Sequence, residues 1–288
     1  MSMKKVKIAL ENVTYIYGKG TPFEIKALDN VNLDIHEGTV TGIIGHTGSG
    51  KSTMVQLFNG LTRPMEGRIL LDGVDIWERP KEIGKIRFRV GLVMQYPEYQ
   101  LFEETVEADI AYGPKNMGLD EIEIQRRVAD AARFVGLESE MLQKSPFDLS
   151  GGQKRRAALA GIIAMRPEVL VLDEPAAGLD PLGRDAILNG ICAYQKETGS
   201  TIIIVSHSME DMARFCDEII VMDHARVRMS GLRDEIFARS DELIDAGLDI
   251  PEITKLIWLL RARGVDVDRS IYTVDRAEQE LAHLFGIA

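Results

Sequence analysis

Eight consecutive residues, Gly45-His46-Thr47-Gly48-Ser49-Gly50-Lys51-Ser52, fit the pattern G-x-x-x-x-G-K-[ST]. Glycines at these spacings allow backbone angles that turn successive N–H groups inward as an anion nest. A helix starting near Lys51 adds its positive end to that nest. Lys51 can then reach the β- and γ-phosphates of a nucleotide, the Ser52 hydroxyl can ligate Mg²⁺, and Thr53 is placed to bond the α-phosphate. His46 sits inside the loop and is expected to act through its backbone, with no metal or catalytic role for its ring. From average composition, a chain of this length matches the pattern by accident roughly once in a hundred.

A second group follows at Val169-Leu170-Val171-Leu172-Asp173-Glu174-Pro175, an apolar strand that ends in two acids. A parallel sheet presents the C-terminal ends of its strands to the ligand crevice. Asp173 then faces the metal, and Glu174, one residue on, is free to polarise an attacking water. Two carboxylates at one strand tip are costly unless a cation lies between them, and a nucleotide-bound Mg²⁺ supplies it. Alone this pattern is often an ordinary strand end; beside the glycine loop it becomes chemical.

These groups need a scaffold. Residues 7–35 read as short strands with turns at 18–20 and 29–30, and residues 39–44 as an apolar strand running into the glycine loop. Further strands are expected at 69–71, 90–93, 169–172 and 201–205. Between residues 97 and 145 helical periodicity and dense charge dominate, as over 122–133, and a helix is expected over 185–197. Strands separated by helices imply an α/β fold whose mostly parallel sheet is covered on both faces. The tail from about Leu232 reads as helical. Ile253, Leu256, Ile257 and Leu260 fall on one stripe of a helix, and Pro251 suits its first turn. No internal repeat is visible.

Leu149-Ser150-Gly151-Gly152-Gln153 precedes an amphipathic helix over 154–165. With the glycine loop and the Asp173–Glu174 strand, it resembles the signature of ABC ATPases, and the resemblance covers residues 6–231. It implies a P-loop NTPase (RecA-like) parallel core with an antiparallel β subdomain, a helical subdomain inserted at about 97–165, and a C-terminal helical extension over 232–288. By the same resemblance, Gln95 is the Q-loop glutamine, a Mg²⁺ ligand and sensor of a transmembrane partner. Gly178-Leu179-Asp180 is the D-loop, His207 the switch histidine at the γ-phosphate, and Tyr17 the aromatic that stacks on adenine. Tyr15 shares Tyr17's strand face, and either could be core. A lone glutamine or strand-end histidine is usually bland; six motifs in one order are not.

In that family Ser150, with the Gly151 and Gly152 amides and Gln153, forms a second helix-terminal anion site that closes on ATP held by a partner chain. Dimerisation is then part of the active site. Catalysis is positioning plus electrostatic stabilisation: Glu174 acts on water, and Lys51 and His207 act on the phosphate.

A narrower resemblance rests on Thr21-Pro22-Phe23-Glu24, on Gly45-His46-Thr47-Gly48, and on Gln95-Tyr96-Pro97-Glu98-Tyr99-Gln100-Leu101-Phe102-Glu103-Glu104-Thr105-Val106 followed by Ala111-Tyr112-Gly113-Pro114-Lys115-Asn116. It is similar to the second ATPase of energy-coupling factor (ECF) importers, which take up vitamins, cobalt or nickel. The implied partners are a second, similar ATPase, with a heterodimer favoured over a homodimer, a transmembrane T subunit docked on residues 95–106, and a substrate-binding S component. The alternatives are a homodimeric ATPase of a dedicated cobalt or nickel importer, and a non-transport ABC ATPase. Two departures are Ala176, where many relatives have threonine, and residues 224–229, which lack the glycine turn usual before the final core strand. The stripe on the tail packs either on the core or, by resemblance to related subunits, on the partner ATPase.

Composition limits the alternatives. The net charge of −11 argues against nucleic acid as the main partner, because phosphate binding needs a basic face. Two cysteines, Cys192 and Cys216, cannot frame a chain of 288 residues and are expected to be reduced packing residues. The N-terminus lacks an apolar run for a signal peptide, and the most apolar run, 201–205, is far short of the roughly 20 residues that span a bilayer. The expected location is the cytoplasmic side of the cell membrane, with membrane contact through other subunits. The absence of an N-K-x-D motif argues against GTP.

Overall fold

Three strands are buried at every position: β3 (Val40–Gly45), β7 (Val169–Asp173) and β8 (Thr201–Val205). Such strands form only where both faces are covered, which is the rule for parallel sheets. In the computed structural model, which describes residues 4–286, they lie at the centre of a six-stranded sheet. With β6 (Val90–Val93), β9 (Glu218–Asp223) and β10 (Arg226–Leu232), the order is β10-β9-β3-β8-β7-β6. All neighbours are parallel except the β9–β10 hairpin. The first three and last two residues of the expected domain limits lie outside the described residues.

An antiparallel sheet, ordered β2-β1-β4-β5, is built from β1 (Val6–Tyr17), β2 (Ile25–His36), β4 (Glu66–Leu71) and β5 (Val74–Asp75). Its apolar face, including Ile8, Leu10, Val13, Leu28 and Leu33, shares one core with Met54, Leu57 and Phe58 of helix α1 (Lys51–Phe58) and with Ile43, Val171 and Ile203 of the parallel sheet. Each such fully buried aliphatic side chain contributes roughly 1.5–3 kcal/mol. The helix that carries Lys51 and Ser52 is therefore clamped between two sheets.

The turn expected at residues 29–30 is instead a bulge inside a continuous β2. Leu28 pairs with Tyr15 and Val31 with Val13, so two residues oppose Thr14 alone. Asn30 takes φ 49°, and its N–H donates to Thr14 Oγ1 at 3.1 Å. The Asx-type polarity that suggested a turn serves the bulge.

The opposite face of the parallel sheet carries the larger core. Helix α2 (Ile83–Arg89) leads into β6, and α3 (Val106–Asn116), α4 (Glu121–Phe134), α5 (Ser139–Leu142) and α6 (Gly151–Ile163) occupy the region read as helical. Then α7 (Pro181–Thr198), ended by left-handed Gly199, and α8 (Met209–Phe215) return the chain to the sheet.

Beyond residue 231 come α9 (Arg233–Phe237), α10 (Ser240–Asp245), α11 (Glu252–Ala262) and α12 (Val274–Phe285). Ile236, Phe237, Leu243 and Tyr272 join the larger core. The stripe on α11 packs elsewhere. Ile257, with Ile253 and Leu260, forms a small core with Val267, Ile271 and Ala277 of the tail itself, while Leu256 faces solvent. Among the described residues no helix is long and apolar enough to cross a membrane.

Candidate functional site

Strands β3, β6, β7 and β8 all end at one edge of the parallel sheet, where the loops that follow them enclose a cavity of about 430 Å³. Tyr17, Thr47, Gly48, Gly50, Lys51, Ser52, Thr53, Gln95, Asp173, Glu174 and His207 line it. Residues far apart in sequence converge because parallel strands deliver their loops to one side.

The loop after β3 is tightly held. Gly45 has φ 157° and Gly50 φ 106°, and a Cβ at either would collide with a neighbouring carbonyl oxygen, of Met222 or Ala27. Lys51 is buried, and its ammonium donates to the carbonyl oxygens of Gly45 at 2.6 Å and His46 at 3.0 Å. Burial lowers its pKa, opposed by Glu174 and Asp173 nearby. The Ser49 hydroxyl is buried without a hydrogen-bond partner.

The acids at the end of β7 are both shifted toward neutrality. Burial raises Asp173, against a hydrogen bond from Ser52 and the charge of Lys51. Burial and the adjacent Asp173 push Glu174 up to about 7. Glu174 takes φ 53°, and its N–H donates to Val205 O at 2.9 Å. Non-glycine residues held in this region cluster at functional sites. Its Oε1 is buried without a hydrogen-bond partner. His207 Nε2 stands 3.5 Å from it, an ion-pair separation rather than a hydrogen bond. Burial, with Lys51, lowers the pKa of His207. Ser52, Gln95 and Asp173 offer hard oxygen donors, and two acids with a deficit of positive charge adjoin them; this set fits Mg²⁺.

The two tyrosines of β1 divide the roles left open by the sequence. Tyr17 stands 42% exposed at the cavity, its hydroxyl 3.2 Å from Thr53 Oγ1. Tyr15 packs on the core between the sheets and meets Tyr17 edge-on at 4.9 Å.

Other expected residues lie outside the cavity. The His46 ring turns to Asp223. Ser150 caps α6 in a reciprocal box: its Oγ accepts from the Gln153 N–H at 3.4 Å, and Gln153 Oε1 accepts from the Ser150 N–H at 2.9 Å. Gly151 and Gly152 form the first turn of that helix. Asp180 caps α7 by accepting from the Gly183 N–H at 2.6 Å.

Sequence reasoning missed Ile25, Ala27 and Val205 on the cavity wall, which carry no polar signal. It also missed Arg155. This buried side chain pairs with Glu98 at 2.8 and 3.1 Å and donates to the Ala177 carbonyl. The Gln95 loop, helix α6 and the segment after Glu174 are thus joined by one guanidinium. Although burial opposes it, that pairing holds the Glu98 carboxyl below its usual range. The available signal was a basic residue one turn before Leu159, on the buried face of α6.

Comparison with known proteins agrees with this geometry. The family model described as "ABC transporter" matches residues 28–177. The energy-coupling factor transporter ATP-binding protein EcfA2 of Clostridium acetobutylicum is 55% identical, over 98% of this chain and 99% of its own. The protein of the same name from Caldanaerobacter subterraneus is 49% identical over 95% and 96%. Among solved structures, cbiO1 from Clostridium perfringens, part of the ABC transporter complex cbiONQ, is 40% identical, with TM-score 0.75, covering 88% of this chain and 99% of that one. The ATP-binding cassette MJ0796, dimeric with ADP and Pi in a post-hydrolysis state, is 30% identical, with TM-score 0.71, over 78% and 98%.

Proposed function

This chain belongs to the ABC transporter family, among the energy-coupling factor transporter ATP-binding proteins, and we propose that it binds and hydrolyses ATP to power an ECF-type importer. The observation that carries the mechanism is the convergence of Lys51, Ser52, Gln95, Asp173, Glu174 and His207 on one cavity while Ser150 stays outside it. A nucleotide held by this loop is therefore half enclosed. A second ATPase must supply the other wall, and Ser150 in return serves the partner's nucleotide.

Each side chain has work that follows from its position. The amides of the glycine loop and Lys51 hold the phosphates, and the Gly45 and His46 carbonyls keep the ammonium in place beforehand. Tyr17 offers its ring face at the cavity mouth for the base. Glu174, its Oε1 unengaged, accepts a proton from the attacking water. His207 stands beside it to orient the water and the terminal phosphate. Mg²⁺, held by Ser52, Asp173 and Gln95, would supply neutralising charge at the phosphate oxygens. Gln95 and the segment 96–106 are the contact with a transmembrane T subunit, and a substrate-binding S component completes the importer. The finer proposal is a heterodimer with a similar ATPase, attached to the cytoplasmic face of the membrane through those subunits, with the ATPase domain at 1–231 and the extension at 232–288 adding to the pairing.

The test is to co-express the chain with its genomic neighbours, purify the assembly and assay ATP hydrolysis with and without Ser150→Arg. A membrane complex containing a second ATPase, in which Ser150→Arg impairs the nucleotide site of the other chain, supports the proposal. An active homodimer without membrane partners removes the transporter role and leaves the ATPase chemistry.

A further inference from the structure

We propose that His46, Asp223 and His224 form a site for a divalent cation of the Zn²⁺, Ni²⁺ and Co²⁺ class, beside the nucleotide cavity but separate from it. His46 Nε2 lies 3.1 Å from Asp223 Oδ1, and His224 Nδ1 lies 2.6 Å from the same oxygen. All three ligand atoms fall within 4.8 Å of one another. The two rings meet edge to face at 5.3 Å. From the sequence His46 had no such role, because Asp223 and His224 stand at the far end of the chain and reach it only when β9 pairs with β3.

The hydrogen-bond inventory leaves His46 Nε2 free to take a cation. His46 Nδ1 is 2.9 Å from the Thr47 carbonyl oxygen, which can only accept, so Nδ1 carries the hydrogen. In the neutral ring Nε2 is then a lone pair facing a carboxylate oxygen, acceptor against acceptor. Either a proton or a metal ion between them removes the conflict, and the two His and one Asp donors converging there suit the metal. An imidazole whose other nitrogen donates to a backbone carbonyl is the arrangement that orients metal-bound histidines.

The surroundings hold the remaining pieces. Arg228 Nη1 engages Asp223 Oδ2 at 3.1 Å, leaving Oδ1 as the single ligand oxygen. His224 and Ala225 form the β9–β10 turn at φ 44° and 66°, without the glycine such angles favour. The turn is braced from β2: the Asp29 N–H donates to Ala225 O at 2.9 Å, and Arg226 pairs with Asp29. Adjacent residues 223 and 224 are thereby made to aim at one point.

Two imidazoles and one carboxylate suit borderline transition cations and not Mg²⁺, which prefers oxygen alone. Tetrahedral bonds of about 2.0–2.2 Å set ligand atoms roughly 3.3 Å apart. The gaps to Asp223 Oδ1, 3.1 Å from His46 and 2.6 Å from His224, must open by about 0.2 and 0.7 Å, the larger by movement of the exposed His224 ring. Arg228 offsets the carboxylate charge, so the metal is expected to exchange rather than to be structural. Bound there, it ties the phosphate loop to the β9–β10 turn. By linkage, metal and nucleotide then alter each other's affinity by the same factor.

The test uses the full chain, free of nucleotide and Mg²⁺, titrated with Co²⁺ by its visible absorption and with Zn²⁺ against a chromophoric chelator. One saturable site with a four- or five-coordinate Co²⁺ spectrum is expected. His224→Ala and Asp223→Asn should each weaken it about 10-fold or more, since even outer-shell partners of metal ligands count for 10–100-fold. Asp173→Asn should leave it unchanged. Equal affinity in wild type and His224→Ala overturns the site, and so does loss of binding in Asp173→Asn. Absence of saturable binding also overturns it, and leaves His46 and Asp223 a proton-bridged pair.

Discussion

Strand β7 carries an acid at each end, and the two ends are treated in opposite ways. Glu168, just before the strand, meets Arg89 at 2.6 Å and Lys7 at 2.6 Å, and Asp72 completes the cluster by pairing with the same two cations. Hydrogen bonds from Arg89, with Lys7 and against some burial, lower Glu168 to about 2. At the other end burial and Asp173 raise Glu174 to about 7, with one oxygen unpartnered. The same residue type at the two ends of one strand is pushed in opposite directions, because one end is paired with Arg89 and Lys7 while the other is buried beside Asp173.

The sharpest way to break this contrast is to remove the charge at the reactive end. Glu174→Gln should lower the ATPase rate of the assembled complex about 10²–10⁴-fold, the usual worth of a general base, while ATP binding persists. A fall of less than tenfold would assign proton acceptance to another group.

Next in size is the pH dependence of the protein without nucleotide. Glu174 titrates at about 7 in the fold, against 4.5 for an ordinary glutamate. The folded state thus holds the extra proton, so Glu174's contribution is fully present below about 4.5 and is lost as pH rises through 7. Thermal denaturation without nucleotide should show stability rising by roughly 1–3 kcal/mol as pH falls across that window, because each tenfold change in proton affinity is worth about 1.4 kcal/mol. Glu174→Gln should flatten the slope; an unchanged slope removes Glu174 as its source.

The smallest effect lies at the paired end. Glu168 is 43% exposed, so solvent screens its ion pairs and Glu168→Gln should cost only about 1 kcal/mol. That is a few degrees in Tm for a chain of this size, with activity retained. Its contribution is complete above about 4.5 and is lost as pH falls through 2, so mutant and wild type should converge in acid. A large loss of activity in Glu168→Gln would mean the two ends are coupled through the strand.

Much of this was legible in the sequence. The apolar runs at β3, β7 and β8 dictate a doubly covered parallel sheet, and that sheet dictates that Lys51, Asp173 and His207 meet. Glycine spacing identified the cradle because backbone conformation is a local property. What stayed hidden depends on non-local packing. Polar residues 29–30 read as a turn because a bulge uses the same residue types. The α11 stripe read as a contact with something larger because periodicity gives a buried face without naming its neighbour. Arg155 and the Asp223–His224 pair drew no functional reading from the sequence, since their partners Glu98 and His46 lie on distant segments.

Arg155 has a genetic consequence. With Glu98 it forms a largely buried pair that also reaches the Ala177 carbonyl. Either single neutralisation strands a charge away from water, whereas removing both does not. Positions 98 and 155 therefore behave as one locus: each single change is deleterious, the double change is milder, and a lineage passing between the two states must cross a fitness valley.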